Sequence, residues 1–314
     1  MNLRFLRTFV TTVDCGGLGR ACARLNLSQP AASRQMHALE NELGVALFQQ
    51  IGRRLQLTSE GEDLLRQSRR LLTDTDLLTE RARVLKGGQA GIVRAAAAPQ
   101  MITSLLAPFL PRHRRRHPDV EVQLIEGSVT SQRSRLECGE VHLAIMPAVD
   151  GRLARRLLFP IHVLVVLLKT HRLGKHAVVE VAELASEPVL LMQRDYGSRA
   201  WFDAVCEIAQ VRPHVLLESI TAHTLIELAA VNYGVAVVPS TTMIRSQKLC
   251  AVPLVHHGKS IGQWSTVCWE PQRQSPPYVE RFVDELVAHA RRAFPGRELL
   301  RRAPALPKPR EPAG

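Results

Sequence analysis

The stretch Ser28-Gln29-Pro30-Ala31-Ala32-Ser33-Arg34 gathers an amide, hydroxyls and a guanidinium at the exposed start of a short helix. A glutamine can pair with adenine through two hydrogen bonds, an arginine with guanine, and a serine with a base edge or a phosphate. Small Ala31 and Ala32 let a backbone come close to a groove. A second basic site, Arg53-Arg54, falls at the tip of a glycine-centred turn leading into the alternating Leu55-Gln56-Leu57, the pattern of a small hairpin. Such a wing can lay its arginines on phosphates or in a minor groove. Other chemistries lack their residues. The chain has no G-x-S-x-G, no H-E-x-x-H, no P-loop and no clustered carboxylate pair. Gly17-x-Gly19 and Gly87-Gly88-x-x-Gly91 approach a nucleotide loop, yet neither follows a strand and completes G-x-G-x-x-G. His256-His257 has no partners at metal spacing, and none of the six cysteines forms C-x-x-C. No catalytic residue, metal site or cofactor is expected.

The elements that must hold these side chains follow from apolar spacing. Leu3, Leu6, Phe9, Val10 and Val13 share one face of a first helix, which Gly16-Gly17 ends. Leu18, Ala21, Cys22 and Leu25 mark a second helix, and Asn26-Leu27 a short break. Ser28 then caps a third, with Pro30 in its first turn and Gly44 at its end. Two short helices joined by a tight turn form a helix-turn-helix. Periodicity alone equally accommodates a small helical domain whose polar residues are solvated.

At 314 residues the chain should hold two or three units. Its net charge of +12 and pI near 10.1 suit a polyanionic partner. The cysteines read as buried free thiols in a reducing compartment. No secretory signal precedes the first helix, and the longest apolar run, Val163 to Leu168, is far short of a membrane span. A cytoplasmic protein with no membrane partner is expected.

The stretch Arg20-Ala21-Cys22-Ala23-Arg24-Leu25-Asn26-Leu27-Ser28-Gln29-Pro30-Ala31-Ala32-Ser33-Arg34-Gln35 resembles the helix-turn-helix of LysR-type transcriptional regulators. So do Leu39-Glu40, Glu42-Leu43-Gly44, Leu47-Phe48, Gly52-Arg53-Arg54, Leu57-Thr58 and Gly61. The resemblance implies a winged helix-turn-helix over residues 1–58, with the motif at about 18–37. Its implied DNA-binding set is Ser28, Gln29, Pro30, Ala31, Ser33, Arg34, Arg53 and Arg54. The family usually has an aromatic at Leu18, a leucine at Ala32 and an arginine at Gln50. The first two departures thin the core, and the third removes a phosphate contact.

Thr58 caps a further helix over residues 59–87, with Glu60, Glu62 and Asp63 at its favourable end. Leu57, Leu64, Leu71, Leu78 and Leu85 recur every seventh residue, so the stripe needs an apolar partner: a copy of itself, or the chain's own domains. The resemblance favours the copy. Leu64, Leu71, Leu78 and Leu85 are then the dimerisation set, in a homodimer or a homotetramer of paired dimers. Gly87 to Gly91 is the expected hinge.

From Ile92 short apolar runs alternate with helices, as in a parallel α/β sheet. Strands are expected at Ile92–Ala98, Val120–Leu124, Leu143–Met146, twice within Leu157–Leu168, and at Val189–Met192, Val215–Glu218, Gly234–Pro239 and Ser265–Trp269. Helices are expected at Thr103–Arg116, Ser131–Cys138, Ser198–Gln210, Ala222–Val231 and Tyr278–Arg292. Trp201, Phe202, Trp264 and Trp269 read as core. The run Arg112-His113-Arg114-Arg115-Arg116-His117 reads as a solvated helix end.

The order resembles the LysR effector-binding domain, a two-lobed fold of the type-2 periplasmic-binding-protein kind. Its landmarks are His117-Pro118-Asp119-Val120-Glu121, Leu143-Ala144-Ile145 and Asn232 to Pro239. This implies a domain over residues 92–296, with lobe 1 at about 92–161 and 265–296 and lobe 2 at about 162–264. Residues 297–314, rich in Pro, Arg and Ala, are expected to be a disordered tail.

In such folds a ligand sits between the lobes, where loops lead into helices. Pro99, Gln100 and Met101, then Ser128 and Thr130, then Gly197, Ser198 and Arg199 are the expected effector residues, Arg199 reading equally as an arginine on an ordinary solvated face. Free N–H groups at helix starts favour a small anion such as a carboxylate. The whole is expected to be a regulator whose partners are double-stranded DNA, a small-molecule effector, its own copies and RNA polymerase. An α/β enzyme would need the absent motifs, and an exported solute-binding module would need a secretion signal.

Overall fold

The computed structural model describes residues 1–51, 54–85, 91–148, 153–273 and 275–309. Arg53, Lys86 to Ala90 and the side chains of Arg54 and Leu85 lie outside the described set, and with them part of the expected wing and hinge. The chain divides near residue 88 into two compact units.

The head consists of α1 (Leu3–Asp14), α2 (Leu18–Leu25), α3 (Gln29–Leu43), β1 (Phe48–Ile51), β2 (Arg54–Leu57) and α4 (Ser59–Leu85). Its turns follow the capping signals. The Asn2 side chain accepts the Arg4 N–H at 2.9 Å, and Asn26, at a φ of 52°, turns the chain between α2 and α3. The Ser28 hydroxyl accepts the Ala31 N–H at 3.4 Å. Glu40 Oε1 takes the N–H groups of Leu47 and Phe48 at 2.8 and 3.3 Å, which fixes the path from α3 into the hairpin. Thr58 accepts the Gly61 N–H at 2.9 Å and donates to the Ala46 carbonyl at 2.7 Å, tying the start of α4 to that path. Leu6, Phe9, Met36, Leu39, Leu47 and Leu72 form the core. Phe9 meets Phe48 edge-on at 5.5 Å.

The larger unit begins with β3 (Gly91–Ala97). Helical turns at Pro99–Met101 and Ile102–Leu106, the second a π-turn, run into α5 (Ala107–Arg116). Then come β4 (Val120–Glu126), α6 (Val129–Glu137), β5 (Leu143–Pro147), β6 (Ala154–Leu168), β7 (Val179–Glu180), β8 (Pro188–Met192) and α7 (Gly197–Ile208). β9 (His214–Ser219), α8 (Ala222–Ala230), β10 (Val235–Pro239), β11 (Leu249–His256), β12 (Lys259–Ser260), β13 (Gly262–Trp269) and α9 (Pro277–Arg292) complete it.

The main strand order is β4-β3-β5-β13-β6-β10-β8-β9. β3 runs parallel to β4 and β5, and β8 parallel to β9 and β10, so each lobe carries its own parallel core. β6 serves both lobes: it pairs with β13 over Ala154–His162 and with β10 from Val163 onward. The change of partner falls at His162–Val163. Gly262 faces this crossing at a φ of 153°, and a Cβ there would lie 2.0 Å from the Ile161 carbonyl oxygen. Strand alternation divides the second lobe's core. Val163, Val165, Leu191 and Val237 pack with Phe202, whereas Val166, Leu190 and Val238 pack with Leu225 and Ile226.

Four expectations change. The two runs within Leu157–Leu168 are one continuous strand, and β11 lies outside the expected set. The segment after α9 is not a free tail through residue 309. Phe294 stacks on Phe159 at 5.2 Å, Leu299–Arg301 forms a 3₁₀ turn, and Ser260 donates to the Pro304 carbonyl at 2.6 Å. Gly296, at a φ of 77°, lies so close to Ser240 that a Cβ would come within 2.1 Å of its carbonyl oxygen. Proline-rich composition predicts the lack of helix and strand here, but packing does not require either. None of the six cysteines is in a disulfide, and Cys15 and Cys250 are only half-buried. No helix among the described residues is long and apolar enough to cross a membrane.

Candidate nucleic-acid interface and effector cleft

α3 presents one face outward. Ser28, Gln29, Pro30 and Arg34 are exposed, Ala31 and Ser33 are half-buried, and Ala32, Met36 and Leu39 turn into the core. Arg34 has no hydrogen bond or ion pair among the described residues, so its guanidinium is free for a ligand. Gln35, one residue on, is committed: its carbonyl oxygen accepts the Thr8 hydroxyl at 2.6 Å. His37 was not singled out from the sequence, yet it is exposed one turn beyond Ser33. The i, i+4 spacing from Ser33 was the available signal.

The leucine stripe on α4 is divided in use. Leu64 packs on the head's own core, whereas Leu71 and Leu78 are 36% and 70% exposed. Leu6, Leu43, Leu64 and Leu71 line an open groove of ≈ 660 Å³.

Between the two lobes a cavity of ≈ 40 Å³ is lined by Gln100, Met101, Gly197 and Ser198 of the expected set, with Val129, Gln132, Trp201, Thr241 and Ser265. Pro99 instead borders an outer cavity of ≈ 380 Å³ with Thr103, His223, Thr242 and Arg245. Ser128 and Thr130 flank Val129 in the chain but do not themselves line the cavity, and Thr130 is already engaged. The Thr130 hydroxyl donates to Asp195 Oδ1 at 2.5 Å, and the Val129 N–H reaches the Asp195 carbonyl at 3.3 Å. Burial works to raise the Asp195 carboxyl, but the Ser128 and Thr130 hydroxyls and the Thr130 N–H hold it below its usual value.

Arg199 departs from its expected role. It is 4% exposed, and its guanidinium bonds Asp203 at 2.7 Å, Glu218 at 2.8 Å and the Met192 carbonyl at 2.8 Å. Desolvation disfavours its charge, and the two carboxylates more than restore it. Arg199 braces α7 against β9 and is not presented to a ligand. The expected anion seat is thus held by a carboxylate, and its expected cation is neutralised.

Two other places compete with the cleft. An open groove of ≈ 1010 Å³ along α5 and β4 contains, among the described residues, no buried polar atom lacking a partner. His113, His117 and Glu285 bring ligand atoms within 4.8 Å of one another. The trio is closed by its own contacts of 2.9 and 3.2 Å, and Arg116 shares the carboxylate at 3.3 Å. Burial lowers the His113 pKa, against the pull of Glu285, and nearby Arg281 adds to the cost of a cation. The grouping reads as a helix-to-helix brace. His113 is therefore buried, where a solvated helix end was expected.

Comparison with known proteins agrees with both halves. Residues 3–62 match the family model of the bacterial regulatory helix-turn-helix protein, lysR family, and residues 86–291 match that of the LysR substrate binding domain. The chain belongs to the LysR family. It is accordingly a DNA-binding transcriptional regulator with an effector-binding domain, and not an enzyme. An uncharacterized HTH-type regulator of Escherichia coli, YnfL, is 28% identical over 292 residues, covering 90% of this chain and 96% of that one. ClcR of Pseudomonas putida is 30% identical over 254 residues, covering 78% and 85%. Among solved structures, a full-length OxyR variant from Pseudomonas aeruginosa aligns with a TM-score of 0.67 at 21% identity, covering 93% and 98%. CbnR in complex with its target DNA aligns at 0.64 and 22%, covering 93% and 99%.

Proposed function

We propose that this LysR-family regulator binds operator DNA as a homodimer or a homotetramer of paired dimers. The start of α3 enters the major groove, with Ser28, Gln29, Pro30, Ala31, Ser33 and Arg34 as the reading set and Arg53 and Arg54 on the flanking backbone. The single observation that carries this reading is the outward α3 face ending in an unpaired Arg34. The determination of CbnR with its target DNA supports it by analogy. Exposed Leu71 and Leu78 beside an apolar groove supply the pairing surface, and the two-fold axis of a dimer would match a pseudo-palindromic operator.

The cleft takes a small metabolite whose binding favours one arrangement of the lobes over another, and so biases operator binding or promoter activation. A carboxylate effector, as the sequence suggested, would have to displace Asp195 from Thr130. Promoter activation adds RNA polymerase as a partner, and the reading implies a cytoplasmic site of action.

Genome-wide footprinting of the purified protein tests the reading, since bound promoters identify regulated genes and the metabolism they serve. With about 6–10 phosphate contacts, affinity should fall by about three to five decades between 50 and 200 mM salt. Failure to prefer any genomic fragment over random competitor at low ionic strength would overturn it.

A further inference from the structure

We propose that Asp195 is a built-in carboxylate ligand that sets the effector's charge class. It fills the anion seat at the start of α6, so the cleft selects an uncharged or cationic molecule bearing hydrogen-bond donors and rejects carboxylates. The inference rests on the reading of the cleft as the effector site.

The seat is occupied across the lobes. Asp195 comes from the loop between β8 and α7 in lobe 2, whereas Ser128 and Thr130 begin α6 in lobe 1. The Thr130 hydroxyl donates to the carboxylate at 2.5 Å, and the Val129 N–H donates to the Asp195 main-chain carbonyl at 3.3 Å. These are the donors that an anionic ligand at this helix start would require. A tethered carboxylate competes at an effective concentration of millimolar order or above, which a free metabolite must exceed.

The interior asks for the opposite partner. Gln132 is 1% exposed, and its Nε2 donates to the Gly127 carbonyl at 2.9 Å. That bond fixes the amide's orientation and leaves Oε1 as a bare acceptor with no partner among the described residues. Thr241 Oγ1 and Ser265 Oγ, each on a side chain 1% exposed, line the same cavity and also lack partners among the described residues. As hydroxyls they can either donate or accept, so Gln132 Oε1 alone sets the requirement. A buried acceptor left unpaired is costly, and Gln132 Oε1 can be satisfied only by a donor. Among the described residues, no lysine, arginine or histidine lines this cavity. At ≈ 40 Å³ it holds about one water, so the lobes must part to admit an effector.

The test uses full-length protein and three probes of one skeleton: succinate, succinamide and 1,4-diaminobutane, followed by calorimetric titration. The wild type should bind the diamide or the diamine saturably and succinate at least tenfold more weakly. Asp195→Asn and Asp195→Ala should each raise succinate affinity at least tenfold, and adding Thr130→Ala should remove the gain. Asp195 is exposed, so both variants should fold, with near-UV circular dichroism as the check.

Succinate binding to the wild type as tightly as succinamide overturns the proposal. So does a folded Asp195 variant that gains no succinate binding, or a wild type that binds none of the probes. If Arg245→Ala abolishes succinate binding to the wild type, the anion seat lies in the outer cavity and the proposal falls. Gln132→Leu separates the two readings. Diamide binding untouched by it removes the cleft as the effector site altogether. Wild-type succinate binding blocked by it keeps the cleft and removes only the charge assignment.

Discussion

The Thr8 hydroxyl donates to the Gln35 side-chain carbonyl at 2.6 Å, joining the buried face of α1 to the helix that carries Gln29, Ser33 and Arg34. Thr8 is 1% exposed and also contacts the Arg4 carbonyl at 3.1 Å, so the bond is sheltered. Replacing Thr8 with valine keeps the volume and leaves the Gln35 oxygen unmatched. The head should lose about 1 kcal/mol of stability. Denaturant melts of the wild type and Thr8→Val proteins, with operator titrations alongside, check this. An unchanged midpoint would mean that Gln35 finds water or another donor at no cost.

Arg34→Ala removes a guanidinium that has no hydrogen bond or ion pair among the described residues. Binding to the preferred operator should weaken by about 1–3 kcal/mol while binding to random DNA changes little. Competition titrations against both DNAs measure the ratio. Equal loss on both would make Arg34 a phosphate contact.

Leu71→Glu combined with Leu78→Glu places charges on the exposed stripe of α4. The double variant should stay folded, sediment as a monomer and lose operator affinity. If it still sediments as a dimer, another surface holds the copies together.

His162 sits at the lobe crossing, 3% exposed, and burial pushes its pKa down to about 4. The folded value is lower than the unfolded one, so the unfolded chain takes up the proton first as the pH falls. The stabilising contribution is whole above about pH 6.5 and drains away down to about pH 4, a loss of about 3 kcal/mol. Urea midpoints between pH 7.5 and 4, compared with those of His162→Asn, should show a flatter profile for the variant. Parallel profiles would remove His162 as the titrating group.

Burial also pushes the Cys206 thiol up to about 11. At pH 7.4 only about one molecule in several thousand carries the thiolate there. Iodoacetamide should therefore leave Cys206 unmodified in the native protein, as peptide mass spectrometry would show. Rapid labelling would mean that α7 opens readily.

Local rules made much of this structure readable in advance. Caps at Ser28 and Thr58, the glycines around α1 and the unbroken apolar run Val235 to Pro239 all act within a few residues. What escaped notice depends on distant partners. Thr130 and Asp195 are 65 positions apart, and His113 and Glu285 are 172 apart. Asp203, at i+4, was a partner legible for Arg199 in the sequence, whereas Glu218 and the Met192 carbonyl reach it from the neighbouring strands β9 and β8. β11 was missed because Pro253 interrupts a run whose hydrogen bonds come from β6.

The chain beyond α9 leaves lobe 1 and fastens onto lobe 2 through Ser240 and Ser260. Together with β6 and β13 it forms a third tether across the cleft. Three attachments permit less freedom than two, so lobe separation must either follow a more restricted path or peel this terminal band away. Changes that loosen this band, such as bulk at Gly296 or loss of the Ser260 hydroxyl, would then alter how readily the sensor responds.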